Sequence, residues 1–455
     1  MKTLVSVAIA LAMAGSTVAA RANGTILLSR PVDGVYQGTL MRVGSGLFTI
    51  HDDGTDLKKL TPWVANSYYL PSGVGYYLSN GSGAGTGYFL TRNFAPAGGR
   101  IQYFHGESSD PTAIPYAGKY RVMDLGTGDS YRVLPGSNDN APPGYGYLAW
   151  GPADTHLIAY TNSTSDLPVD PHCIFVMHPD GSSRRLLWCA PEQESTPQGM
   201  VPTRAVEGIR WAGNGKSLLA FVSYQPAPLV FAKPMSPSQL GGTGYAALYK
   251  VDIETGVGKE IATNNPEPVT GDLSYDGTKV VYQQWDGWEC GNTNPEDQDG
   301  ISVCELDLTT GQVTTVIGRM VGDGSEDWES QGPEGLSANF YVNLLLSPSG
   351  SKLAVSMDNA DQNESDLYVV NSDGTDLRQL TYRDAQTPAQ QLIAWIPVAW
   401  SADGNRLLAN RGTVALSGTD RRQPSDVHII NLATGTNRDV TDGYAVDWFE
   451  DTGTQ

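Results

Sequence analysis

One pattern recurs seven times along this chain of 455 residues: an alternating apolar strand, a tight turn with glycine, and a second strand that ends near Leu, Val or Ile. The copies occupy residues 47–61, 120–134, 174–188, 248–262, 302–317, 366–381 and 426–441. Repeats of this length are supersecondary units that bury their apolar faces only by stacking on their neighbours. The repetition therefore predicts an all-β fold in which stacked units share one core.

A second pattern lies between these hairpins and consists of an apolar strand, a turn related to Ser-Pro-Asp-Gly, and another apolar strand. Its copies occupy residues 68–79, 148–160, 209–221, 273–282, 344–355 and 398–409. Asp, Asn, Ser and Gly suit these turns because tight hairpins need residues with positive φ. Each unit then has four strands, which is one blade of a β-propeller. The count predicts seven blades, with six as the alternative.

The two ends of the chain complement each other. The first hairpin is preceded by one strand, residues 25–30, and lacks an innermost strand before it. Residues 445–448, with the sequence Ala-Val-Asp-Trp, match the innermost strand at residues 398–400. Pairing of this C-terminal strand with the N-terminal blade would close the ring and remove its open edges. We therefore predict a seven-bladed β-propeller that forms a single domain over residues 23–455.

Residues 1–22 have the features of a cleaved signal peptide: Lys2 near the start, an apolar stretch over residues 4–14, and small residues over 16–22. No later segment contains the ~20 apolar residues that a membrane-spanning helix requires. We expect an exported protein, periplasmic or secreted, without insertion into the membrane.

The four cysteines fit an exported protein, because disulfides persist in oxidising compartments. Cys173 and Cys189 flank a hairpin turn nearly midway between them, and Cys290 and Cys304 bracket a polar loop. Three pairings are formally possible. The two local pairs, Cys173–Cys189 and Cys290–Cys304, are favoured because each lies within one repeat.

The chain is strongly acidic, with 49 Asp and Glu against 29 Lys and Arg and a net charge of −20. Nucleic acids bind basic patches, so this balance argues against a nucleic-acid partner. The charge is typical of a soluble protein, and we expect a monomer.

Three segments carry a resemblance to a known family: DLYVVNSDGTDLRQLT at residues 366–381, SPSGSKLAVSMDN at 347–359 and WSADGNRLLAN at 400–410. They resemble the repeats of TolB-type β-propellers of Gram-negative envelopes, and the resemblance covers nearly all of the chain after residue 22. It implies a propeller that binds an envelope protein or peptide by shape. Similar blades occur in peptidase-associated propellers and in oligogalacturonate-lyase-like proteins. TolB has an α/β domain before its propeller, whereas only about two dozen residues precede the first strand here.

Strands of a blade run alternately up and down, so successive connections lie on opposite faces of a propeller. The glycine turns, such as residues 52–55 and 402–405, all fall on one face, which we call the turn face. The long connections fall on the other, which we call the loop-rich face, and they occupy residues 93–118, 135–146, 190–207, 223–246, 286–300, 319–339 and 411–425. Function concentrates in long loops on a rigid scaffold, so the loop-rich face around the central channel is the predicted site.

The candidate binding residues are aromatic, acidic and basic side chains in or near these connections: Trp285, Asp286, Trp288, Glu289, Trp328, Arg204, Arg383 and Arg411. Exposed Trp with Arg is typical of hot spots in protein interfaces. Aromatic rings could equally stack on sugars. The alternative function is therefore a carbohydrate-active enzyme, a polysaccharide lyase or glycosidase, that uses carboxylates at the same face, with Asp442 and Asp447 as one candidate pair.

Signals for catalysis and cofactors are few. The sequence has no G-x-S-x-G motif and no phosphate-binding loop, so we predict no catalytic residue. His105 is the only histidine placed in a long connection, which is too few for a manganese site built from several histidines. We expect no cofactor, although the acidic segments 294–300 and 358–366 leave calcium as an alternative. Trp150, Trp211 and Trp400 hold matching positions on innermost strands and are predicted to pack in the core.

Overall fold

The structure is a computed structural model that describes residues 24–36, 39–65, 67–71, 93–107, 118–133, 148–152, 155–161, 173–196, 199–224, 246–264, 271–274, 276–285, 300–321, 344–359, 364–382, 391–415 and 425–450. Within these residues the fold is all-β, and seven small antiparallel sheets form the blades of a ring. The predicted seven-bladed β-propeller is confirmed.

The strands of each blade follow one another from the channel outward. Blade 1 contains β29 (Tyr444–Phe449), β1 (Thr25–Tyr36), β2 (Thr39–His51) and β3 (Lys58–Lys59), and blade 2 contains β4 (Ser67–Pro71), β5 (Arg100–Glu107), β6 (Gly118–Asp124) and β7 (Ser130–Arg132). Blade 3 contains β8 (Leu148–Trp150), β9 (Ile158–Thr161), β10 (Cys173–Met177) and β11 (Arg185–Cys189). Blade 4 contains β13 (Gly199–Trp211), β14 (Ser217–Tyr224), β15 (Ala246–Asp252) and β16 (Gly258–Asn264), with β12 (Gln193–Thr196) paired to β13.

Blade 5 contains β17 (Gly271–Leu273), β18 (Lys279–Trp285), β19 (Gly300–Asp307) and β20 (Val313–Val321). Blade 6 contains β21 (Leu344–Leu346), β22 (Lys352–Asn359), β23 (Glu364–Asn371) and β24 (Arg378–Gln379). Blade 7 contains β25 (Gln391–Trp400), β26 (Arg406–Ala415), β27 (Ser425–Asn431) and β28 (Asn437–Asp442).

The ring closes as predicted, through the two ends of the chain. Strand β29 pairs antiparallel with β1, and Ile26 lies opposite Trp448. Ile26 and Trp448 then pack with Val398 and Leu408 of blade 7 in one apolar cluster. Blade 1 therefore obtains its innermost strand from the C-terminal segment.

Alternating apolar side chains explain how each blade buries both of its faces. In β14, Leu218 and Ala220 pack toward blade 3, whereas Leu219 and Phe221 pack toward blade 5. Successive side chains of a strand point to opposite faces of its sheet, so a continuous apolar run is the pattern of a strand covered on both sides. Stacking of blades therefore produces the core between them.

The innermost edges are tied together by side chains. Trp150, Trp211 and Trp400 are buried, and their indole N–H groups donate to the carbonyl oxygens of Asn93, Ala149 and Leu345 on the preceding blade at 3.2, 3.0 and 2.9 Å. The predicted core role of these three tryptophans is confirmed. The bonds also satisfy backbone groups at sheet edges that face the channel.

The strand assignment within blade 2 differs from the prediction. Of the predicted strand–turn–strand unit at residues 68–79, residues 68–71 belong to β4, which pairs with β5, and residues 72–79 lie outside the described residues. The turn that corresponds to Ser-Pro-Asp-Gly lies at residues 95–100, where the Gly98 N–H donates to the Ala95 carbonyl at 2.8 Å. Its sequence, Ala-Pro-Ala-Gly-Gly-Arg, lacks the usual Asp or Ser, whereas Pro-Ser-Gly at residues 71–73 has the composition of a turn.

The predicted long connections are also partly strand. The stretch 93–118 contains β5, the stretch 190–207 contains β12 and most of β13, and β26 extends into 411–425. His105, Arg204 and Arg411 therefore lie in strands, and their prediction as loop residues is wrong. The sequence patterns predict the ends of the strands poorly at this face. The strands continue beyond the apolar pattern because their backbone pairing continues.

The division of connections between two faces follows the prediction in blade 5. Its strands β17–β18 and β19–β20 are joined through residues 274–278 and 308–312, whereas residues 286–299 separate β18 from β19. The short turns share one end of the blade because the strands alternate in direction.

One predicted disulfide is confirmed. Cys173 and Cys189 lie opposite each other in β10 and β11 and are bonded, with their Cα atoms 4.0 Å apart. Cys304 is buried and also disulfide-bonded, and its predicted partner Cys290 lies outside the described residues. A disulfide fits an oxidising compartment, as expected for an exported protein.

The turns of the turn face are capped by carboxylates. In blade 5, the backbone N–H groups of Thr309 and Thr310 donate to Asp307 at 2.7 and 2.9 Å, and these bonds lower the pKa of Asp307. Equivalent bonds lower the pKa of Asp124 and Asp252. Blade 7 has Asn431 at this position, which accepts the same backbone bonds without a charge.

These caps predict how stability depends on acid. A carboxyl whose pKa is lowered by folding contributes stability that is fully present above its unfolded pKa, about 3.9, and is lost as the pH falls through the lower folded pKa. We expect the triple variant Asp124→Asn, Asp252→Asn, Asp307→Asn to keep its turns, because Asn431 caps the same turn in blade 7. In urea titrations, its free energy of unfolding should fall less than that of the parent when the pH is lowered below about 4. Replacing the exposed Asp129 by Asn removes one charge as a control. Equal acid sensitivity of the triple variant and the parent would contradict the assignment.

Candidate functional site

At the loop-rich face, the residues that the structure describes are mainly those at the ends of strands. Five predicted binding residues lie outside the described residues: Asp286, Trp288, Glu289, Trp328 and Arg383. Arg204 and Trp285 are placed in β13 and β18, although only their backbone is described. Arg411 is the predicted site residue with a described side chain.

Arg411 belongs to a row of side chains at the loop-rich end of blade 7. Trp395, Arg411 and Asp426 lie directly opposite one another on β25, β26 and β27. The Arg411 guanidinium lies 5.9 Å from the Trp395 ring centroid, and its Nη1 lies 3.3 Å from Asp426 Oδ2. Arg411 is therefore held on two sides, by an aromatic face and by a carboxylate.

His428 lies beside this row, two residues after Asp426 on β27. Its ring is edge-on to Trp395, with 4.8 Å between the ring centroids, and its Nδ1 lies 2.9 Å from Asn437 Oδ1. Burial lowers the pKa of His428, so the neutral ring is favoured. We call Trp395, Arg411, Asp426 and His428 the blade 7 cluster. Leu407 and Ile430, on the same sheet face, pack in the cluster between blades 6 and 7.

An aromatic side chain is exposed at the loop-rich end of blade 1. Trp63 is 49% exposed, yet its Nε1 donates to the Pro31 carbonyl at 3.0 Å and its ring is perpendicular to Phe48, with centroids 5.8 Å apart. The Arg30 guanidinium lies over the Phe48 ring, 5.4 Å from its centroid. Trp63 is thus exposed to solvent and fixed in orientation at once.

Blade 6 repeats this arrangement in part. Thr61 of blade 1 and Thr381 of blade 6 accept equivalent bonds from the backbone N–H groups of Leu47 and Leu367, at 2.8 and 2.9 Å. The chain then leads to the Trp63 segment in blade 1 and to Tyr382, which is 68% exposed, in blade 6. Two blades therefore present an aromatic side chain just after the outermost strand.

A second histidine contacts an aromatic ring in blade 2. His105 stacks on Tyr69 with 4.3 Å between the ring centroids and 5° between the planes. Burial lowers the pKa of His105 and raises that of Tyr69. Tyr69 and Tyr103 pack toward blade 1 with Leu27 and Leu47, so this pair supports the junction of the first two blades.

Two candidate carboxylates, Asp447 and Asp366, are engaged in structural bonds. Asp447 is buried and accepts from the backbone N–H groups of Asn93 and Phe94 at 2.6 and 2.8 Å, so the pair Asp442 and Asp447 does not supply a free acid and base. Asp366, in a predicted calcium segment, is buried and accepts from the Thr381 hydroxyl at 2.8 Å. Among the described residues, no three His, Cys, Asp or Glu are grouped to hold a metal ion.

No protein-family model and no curated protein sequence matches this chain. Solved structures do match. An oligogalacturonate lyase in complex with manganese shares 14% identity and a TM-score of 0.50, with 92% of this chain and 85% of the lyase covered. An oligogalacturonate lyase from Vibrio parahaemolyticus shares 12% identity and a TM-score of 0.49, with 92% and 86% covered. TolB from Acinetobacter baumannii shares 15% identity and a TM-score of 0.40, with 78% and 62% covered.

At such identities the matches show the fold alone. The chain is a seven-bladed β-propeller, and the propeller is the part of the predicted TolB resemblance that is confirmed. Over the described ranges, the structure holds no helix of the length and apolar character needed to cross a membrane.

Proposed function

We propose that this propeller is an exported binding platform whose loop-rich face contacts an envelope protein or peptide. The observation that carries the proposal is Trp63, a half-exposed indole that the scaffold holds in one orientation through Pro31 and Phe48. Large aromatic side chains dominate the binding energy of protein interfaces. A side chain fixed before binding loses little conformational entropy when the partner arrives.

A group of exposed apolar side chains at this face supports the proposal. Trp63, Val64, Met200 and Tyr382, each about half exposed or more, lie at the loop-rich face by the strand order. Arg411 adds a positive charge at this face, and Asp426 and Trp395 already hold its side chain in place. Aromatic residues and Arg are the types enriched at interface cores, so recognition by shape and by a few anchors fits this composition.

The proposal predicts a large effect of Trp63→Ala on binding. We expect the dissociation constant for the envelope protein that co-purifies with the chain to rise at least about tenfold, because an interface anchor is lost. Leu57→Ala is the matched control, since Leu57 is 45% exposed but lies at a turn of the turn face. The measurement is titration calorimetry with the purified partner, after thermal unfolding shows that both variants fold.

Equal loss of affinity in the two variants, or none in Trp63→Ala, would contradict the loop-rich face as the binding surface. The carbohydrate alternative is tested beside it by incubating the protein with oligogalacturonides and following new reducing ends. Sustained release of such ends by the parent protein would replace the binding proposal with an enzymatic one.

A further inference from the structure

The blade 7 cluster contains a donor and an acceptor that are buried without partners. Trp395 is 3% exposed, and neither its Nε1 nor His428 Nε2 has a hydrogen-bond partner in the described part of the protein. Asn437 Oδ1 can only accept, so His428 Nδ1 carries the proton and Nε2 of the neutral ring is an acceptor. A second proton would turn the buried Nε2 into another donor without a partner, in a ring whose centroid lies 4.8 Å from that of Trp395.

The charges around His428 determine what its protonated form would contact. Asp426 lies two residues away on β27, and Asp439 lies opposite on β28. Arg411 is the opposing cation and is paired with Asp426. From blade 6, Arg378 reaches the junction, where it donates to the Leu432 carbonyl at 3.1 Å. An imidazolium at position 428 therefore has two carboxylates near it: Asp439, which is exposed and lies on β28 beside the Nδ1 partner Asn437, and Asp426, which Arg411 already holds.

We infer that His428 is an acid-sensitive switch that controls Arg411 at the loop-rich face. When His428 gains a proton, its Nε2–H competes for Asp426, and Arg411 loses its carboxylate and its place over Trp395. The end of the junction between blades 6 and 7 then opens, and the guanidinium becomes available to an acidic group of a partner. The biological role of this switch rests on the proposed binding function, because the switch regulates the proposed binding face. Its test needs no partner.

The direction of the effect follows from linkage. Burial lowers the pKa of folded His428 below the value of about 6.5 of a free histidine, so the unfolded or locally opened state binds the proton more readily. Stability of the closed junction is complete above about pH 6.5 and decreases as the pH falls toward the folded pKa. Each unit of depression of the pKa allows up to about a tenfold increase in opening.

Hydrogen exchange followed by mass spectrometry tests the switch in the full chain. We expect protection in β25, β26 and the start of β27, corrected for the intrinsic rate, to fall about tenfold between about pH 7.5 and about pH 5. His428→Gln, which stays neutral, should remove this change. His178→Gln is the matched control, because His178 lies at a hairpin of the turn face and should leave the change intact. Acid-induced exchange that persists in His428→Gln, or its absence in the parent, would overturn the switch.

A measurement on the parent protein covers the case in which His428→Gln does not fold. Magnetic resonance of labelled histidine and tryptophan should show the His428 ring and the Trp395 indole N–H changing with the same midpoint, below about pH 6.5. A Trp395 signal that stays constant while His428 titrates would contradict the coupling. Failure of the partner experiment with Trp63→Ala would leave both of these readouts unaffected, so the two proposals fail separately.

Discussion

Truncation of the chain before Tyr444 is expected to abolish folding of the propeller. The deletion removes β29, so β1 loses its pairing from Thr25 to Ser29 and the apolar cluster with blade 7 loses Trp448. Burial of each large apolar side chain stabilises a protein by roughly 1.5–3 kcal/mol. Total stability is only about 5–15 kcal/mol, and an open ring also exposes two unpaired sheet edges.

The measurement is the soluble yield and the circular dichroism of the truncated chain. Truncation after Glu450 is the control, since it leaves β29 intact and should preserve both. A synthetic peptide of residues 444–455 should partly restore structure to the shorter chain when added in excess. A chain that ends at residue 443 and unfolds cooperatively near the temperature of the parent would show that the closure is dispensable.

Arg406→Ala is expected to lower the free energy of unfolding by about 3–5 kcal/mol, because removal of one partner leaves buried charges uncompensated. Arg406 Nη1 lies 2.8 Å from Asp52 Oδ2 of blade 1, and its Nη2 pairs with Glu450, just after β29. The three side chains are 12%, 6% and 12% exposed. The guanidinium also lies 4.8 Å from the centroid of the Trp448 ring. This group, which we call the latch, joins blade 7 to blade 1 at two places, just after β2 and just after β29.

Urea unfolding of four further variants isolates the role of the latch. Arg406→Lys keeps the charge but cannot contact both carboxylates with one planar group. We therefore expect a free energy of unfolding between that of the parent and that of Arg406→Ala. The triple variant Arg406→Met, Asp52→Asn, Glu450→Gln should be more stable than Arg406→Met alone, since no buried charge is left unpaired. Arg100→Ala breaks an exposed pair with Asp124 and should have little effect. A loss in Arg406→Ala no larger than in Arg100→Ala would contradict the latch.

The sequence predicted the fold wherever a pattern was local. Alternating apolar strands and glycine turns identified the blades, and the match of residues 445–448 to an innermost strand identified the closure. Blade 2 was misassigned because its turn at residues 95–100 uses proline and glycine without Asp or Ser. The latch was missed for another reason. Arg406 is 354 residues from Asp52 in sequence, and no spacing rule connects them.

The candidate site was predicted less well than the fold. Arg411 was predicted as a loop residue, yet its environment comes from Trp395 and Asp426, which were not predicted as site residues. A signal was present, because Trp395 lies five residues before the core residue Trp400 and extends β25 beyond the length of a blade strand. Burial of His428 could not be read from sequence, because it depends on packing against neighbouring strands.

Both ends of the described chain lie on the turn face. Thr25 is paired with Phe449, the Gly24 carbonyl accepts from Asp52 in a turn of blade 1, and Glu450 accepts from Ala402 in a turn of blade 7. A tether at either end would leave from the side opposite Trp63 and Arg411. A biosensor chip that holds the protein by such a tether would therefore present the proposed binding face to the solution.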